Sequence, residues 1–85
     1  MSKKSYSYGN IEVVKEIILE QFEITKDEND SQLASTLKII INENSKTYVN
    51  QFKVSRALLS IDGVAKITMK GSTYYSGLKS KPQNP

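Results

Sequence analysis

Between Asn50 and Lys81 the spacing of apolar residues changes once, from a helical period to a strand period, and the change falls at Asp62-Gly63. Before that break, Val54, Leu58 and Ile61 recur at i, i+4 and i+7, which gathers them on one face of a helix. Beyond it, Ala65 to Met69 alternates, with Ile67 and Met69 on one side and Lys66, Thr68 and Lys70 on the other. Gly71-Ser72 supplies a turn, and Thr73 to Leu78 returns as a β-rich strand. Tyr74 and Tyr75 are neighbours in that strand and point to opposite faces, so one of them packs inward. A chain that must bury a helix stripe and one face of a hairpin in a single core belongs to the α+β class.

The residues upstream read as two further helices. Asn10 is a good N-cap, and Ile11, Val14, Ile18 and Phe22 follow at helical spacing to an end near Glu23. Lys26 to Asp30 is a charged loop. Asp30 or Ser31 caps a second helix whose buried stripe is Leu33, Leu37, Ile40 and Ile41, ending around Asn42 to Asn44. The third helix is capped by Asn50 and runs to about Ser60, with Gly63 as its C′ residue. The expected organisation is a flexible tail over residues 1–9, one domain over 10–79, and a second flexible tail over 80–85.

Composition excludes several classes of function. In 85 residues there is neither cysteine nor histidine, which removes disulfides, thiolate metal sites and the commonest general acid–base group. No nucleotide-binding glycine motif occurs, and no cofactor or metal is expected. Carboxylates cluster only on the first helix and its loop, where a solvated face explains them, so no enzyme activity is expected. Met1 to Asn10 lacks the apolar core of a secretory signal, and no apolar run reaches the roughly 20 residues that span a bilayer. The expectation is a soluble cytoplasmic protein with no membrane partner, or one of the host cytoplasm or nucleus if viral.

Charge is segregated along the chain. Ile11 to Asp30 carries seven acids against Lys15 and Lys26, a net −5, whereas Ser31 onward carries eight bases against Glu43 and Asp62, a net +6. With Lys3 and Lys4 the total is +3. One surface suited to a polyanion, and another turned away from it, is the arrangement such a pattern implies. The third helix carries a stripe of Asn50, Lys53, Arg56, Ala57 and Ser60 apart from its core face, and these small, polar or basic residues fit a groove or a phosphate backbone. Arg56 is the one arginine of the chain, and its planar fork makes it the first choice for reading a base. The competing role for it is an ion pair with Glu43 or Asp62.

The stretch FKVSRALLSIDGVAKITMKGSTYYSGLK resembles the winged-helix domain at the C-terminus of many viral, phage and plasmid superfamily-3 primase-helicases and, more distantly, the DNA-binding domain of regulatory factor X proteins. In that family a helix similar to Val54-Ser55-Arg56-Ala57-Leu58 precedes Gly63, a basic hairpin follows, and the domain closes on Tyr75-Ser76-Gly77-Leu78. The resemblance extends over roughly Ile11 to Lys79. It implies a winged helix, three helices followed by a two-stranded β-hairpin wing, that binds double-stranded DNA through the third helix and the wing. On this resemblance Lys53 and Arg56 contact DNA from the helix. Lys66, Lys70, Ser72 and Thr73 act from the wing, Tyr74 or Tyr75 lies against the backbone, and Lys79 and Lys81 trail along it. A role in replication or transcription control of a virus, phage or mobile element goes with it, alone or beside a partner protein. The alternative is a protein-interaction module that uses the acidic first helix or Phe52 and Leu59, and a homodimer is open under either reading.

Overall fold

Apolar side chains from three helices and the closing strands meet in one core, centred on Ile18, Leu37, Ile41, Leu58, Tyr75 and Leu78. The computed structural model describes residues 2–82. Along the chain the elements are α1 (Ser2–Gln21), β1 (Phe22–Ile24), β2 (Ser31–Leu33), α2 (Ala34–Glu43), α3 (Gln51–Leu59), β3 (Ala65–Met69), β4 (Ser72–Ser76) and β5 (Leu78–Ser80). The strands form two antiparallel sheets, one ordered β2-β4-β3 and the other pairing β1 with β5. The protein is an α+β domain, as the change of period at Asp62-Gly63 requires.

Helix α1 packs on α3 and buries Val14, Ile17, Ile18 and, just beyond its end, Phe22. It begins at Ser2, so Asn10 lies inside it and not at its start, and residues 2–9 are helical instead of a separate tail. Once a turn has nucleated, each added residue gains a hydrogen bond at modest cost, so a polar run can extend a helix set by the core downstream. The helix gives way to β1 before Glu23, because β5 lies alongside with Phe22 opposite Ser80 and Glu23 opposite Lys79. Ser80 therefore belongs to the fold. Of the expected tails, Met1 and residues 83–85 lie outside the described residues.

The second helix begins later than its spacing suggests. Ser31 to Leu33 forms β2 on the outer side of β4, with Gln32 opposite Tyr75, and α2 starts at Ala34 behind an N-cap, Leu33, whose side chain caps nothing. Its connection to α3 is closed by Asn42. The Asn42 amide accepts from Val49 N at 2.7 Å and donates to Val49 O at 2.9 Å, standing in for a strand partner. Helix α3 starts as its sequence indicates, with Asn50 Oδ1 accepting from Lys53 N at 3.0 Å. Val54, Leu58 and Ile61 are buried. The helix stops at its C-cap Ser60, and Gly63 sits farther on, at φ +96° in the turn closed by Val64 N donating to Ile61 O.

The β3–β4 hairpin turns at Lys70-Gly71, one residue earlier than expected, with φ of 51° and 80°. Two left-handed residues in a two-residue loop match the twist of the flanking strands. The returning strand then breaks at Gly77 into β4 and β5. Gly77 N donates to Asp30 O at 2.7 Å and Gly77 O accepts from Thr25 N at 2.9 Å, so the charged loop after β1 is stitched to the point where the two sheets divide.

Candidate nucleic-acid interface

The hairpin, the start of α2 and one edge of α3 enclose an open cleft of about 500 Å³. Its α3 wall is Gln51, Phe52 and Ser55, one turn of helix, and its hairpin wall is Lys66, Ser72 and Thr73. Tyr75 closes the floor, 1% exposed, with its hydroxyl donating to Ser55 Oγ at 2.8 Å. Lys66 and Gln32 stand directly opposite Tyr75 across the sheet and share its face. The strand alternation that buries Tyr75 thus also aims Lys66 at the cleft.

No acidic residue lines the cleft and α1 contributes nothing to it. The acids Glu12, Glu16 and Glu20 are exposed on α1 instead. The exposed acids of α1 are therefore held apart from the cleft. Hydroxyls from Ser35, Ser55, Ser72 and Thr73, a lysine and a glutamine amide make the cleft a surface of donors with one positive charge.

Three of the expected site residues, Lys66, Ser72 and Thr73, line this cleft together. Arg56 stands at its edge: it is exposed, and its guanidinium carbon lies 5.7 Å from the centre of the Phe52 ring. Among the described residues Arg56 forms no ion pair, and Asp62 is paired with Lys26 at 3.6 Å. Lys53 is half-buried on α3, one residue from Phe52, and Lys70 is exposed at the tip of the hairpin.

The other expected residues lie elsewhere or are committed to the fold. The Asn50 side chain is the α3 cap, and Ser60 Oγ donates to Ala57 O at 2.6 Å at the opposite end. Ala57 is fully buried, which interrupts the polar stripe the helical spacing suggested. Tyr74 faces away from Tyr75, in a row with Leu33 and Ile67. Lys79 sits on β5 opposite Glu23. Lys81 caps the end of α1, donating from Nζ to Leu19 O at 2.9 Å and from its backbone N to Gln21 O at 3.1 Å.

Gln51, Ser55 and Ser35 are cleft residues that spacing alone did not single out. Ser55 follows Phe52 by three positions and precedes the next core turn, so a helical wheel centred on the cleft edge would have grouped them. Ser35 carries no such signal, because the cleft reaches it only through the pairing of β2 with β4. Among the described residues no helix is long and apolar enough to cross a membrane, and no cluster of carboxylates could hold a metal ion. Comparison with family models, with curated proteins and with solved structures finds no match.

Proposed function

We propose that this chain is a non-enzymatic winged-helix domain that binds double-stranded DNA, with α3 as the helix presented to the duplex and the β3–β4 hairpin as its wing. The observation that carries this reading is the acid-free cleft between α3 and the hairpin, where Lys66, Ser72 and Thr73 face Gln51 and Ser55 while Arg56 borders it. Phosphate oxygens accept from hydroxyls, amides and cations of this kind, and such contacts set the position of a protein on a duplex. The order α1, β1, β2, α2, α3, the β3–β4 hairpin and β5, with β2 added to the hairpin as a third strand, is consistent with a winged helix.

Arg56 is unpaired by any carboxylate among the described residues and remains available for a bidentate contact to guanine. Lys53 on α3 and Lys70 at the hairpin tip add two further cations to the proposed interface. The sequence resemblance extends the proposal to replication or transcription control in a virus, phage or mobile element. Replacing Lys53, Arg56 and Lys70 together by alanine tests it: duplex affinity falls by more than tenfold at low salt if these residues meet DNA. Unchanged affinity contradicts the assignment.

A further inference from the structure

Phe52 is out of place on an ordinary solvated helix. It keeps 66% of its surface exposed on the α3 wall of the cleft, with the Arg56 guanidinium stacked near its ring. A second feature lies one residue away. The Gln51 amide nitrogen is buried and finds no acceptor among the described residues, although it belongs to the same wall.

An aromatic face, a cation against it, and a lysine with hydroxyls on the facing wall are what a single nucleotide requires. A base offers a π-face to stack and acceptors along its edge, and its phosphate accepts from serine and lysine. A continuous duplex offers only base edges, because each face is covered by its neighbours. The Phe52 ring can therefore be used fully only by a base that has left the stack. The volume of about 500 Å³ lies within the usual range for small-ligand sites.

We infer that the cleft receives one unstacked base, so that the domain prefers nucleic acid with an unpaired nucleotide, such as a bulge or a junction, over uninterrupted duplex. Phe52 is the stacking platform, Arg56 holds its ring, and Lys66 with Ser72 and Thr73 takes the flanking phosphate. The inference rests on the nucleic-acid reading above and narrows its substrate.

The test uses the full chain and two otherwise identical DNA duplexes, one fully paired and one with a single bulged 2-aminopurine, a base whose fluorescence falls on stacking. The bulged duplex is expected to bind about tenfold more tightly with quenched fluorescence, since an aromatic ring that stacks on an unpaired base adds to its affinity. Phe52→Ala and Phe52→Leu are each expected to abolish that preference, so that the bulged and paired duplexes bind alike, and circular dichroism confirms that the variants fold. Equal binding of the two duplexes by the native chain overturns the inference and leaves duplex binding intact. Binding of neither overturns both readings. Sedimentation showing a dimer that Phe52→Ala dissociates, with no change in DNA preference, assigns the ring to protein contact and also overturns it.

Discussion

Tyr75 donates its hydroxyl hydrogen to Ser55 Oγ across 2.8 Å, joining β4 to the middle of α3. The bond ties the floor of the cleft to its α3 wall. Tyr75→Phe removes it without opening a cavity and is expected to cost about 1 kcal/mol in urea denaturation. In a double-mutant cycle with Ser55→Ala the losses fall short of additivity by about that amount. Additive losses would show that the two side chains do not cooperate.

Gly77 is the position where the backbone is least replaceable. Its φ is +85°, and a Cβ there would run into the carbonyl of Gly63. Backbone against backbone cannot move aside as a side chain can. Gly77→Ala is expected to destabilise the domain by about 3 kcal/mol or more, a large part of what a small domain possesses. Gly71→Ala, at φ +80° but with open space around the new methyl group, is expected to cost only about 1 kcal/mol. Thermal melts of the two variants check the ranking.

Lys70 holds a left-handed conformation at φ 51°, which costs a lysine roughly 1 kcal/mol and suits asparagine better. Lys70→Asn is expected to raise stability by about 0.5–1 kcal/mol and to weaken duplex binding in the same protein. A variant that gains stability and keeps full affinity would remove Lys70 from the interface.

The third helix and the hairpin were legible because each is long enough to display its own period, nine residues in α3 and five in each hairpin strand. Asn50 and the alternation of Tyr74 with Tyr75 could be read for the same reason. Strands β1, β2 and β5 were not legible. Each has three residues, fewer than two full alternations, and each is fixed by a partner far away in sequence, as Phe22 is by Ser80. Those strands decided where α2 starts and which lysines share a surface. Ala57 illustrates the same limit on the site: its small side chain suited either a polar stripe or a helix contact, and α3 packed against α1 made it core.

Lys81 and Arg56 separate stability from binding. Lys81→Ala removes a cap at the end of α1 and is expected to cost about 0.5 kcal/mol with duplex affinity changed less than twofold. Arg56→Ala is expected to do the reverse, because its partner is the exposed ring of Phe52 and no carboxylate. Paired denaturation and binding curves give the comparison, and a large binding loss in Lys81→Ala would move the interface to the β1–β5 ribbon.

The most direct test is the salt dependence of duplex binding. Lys66 lies in the cleft, Arg56 at its edge, Lys70 at the hairpin tip and Lys53 on α3, four cations for the proposed interface, with Lys81 engaged elsewhere. Four neutralised phosphates give a slope of about −3.6 for log K against log salt concentration. That slope, falling in magnitude by about 0.9 for each cleft cation removed, is the predicted result. A flat dependence, or no duplex binding at about 50 mM salt, would contradict a DNA interface between α3 and the hairpin.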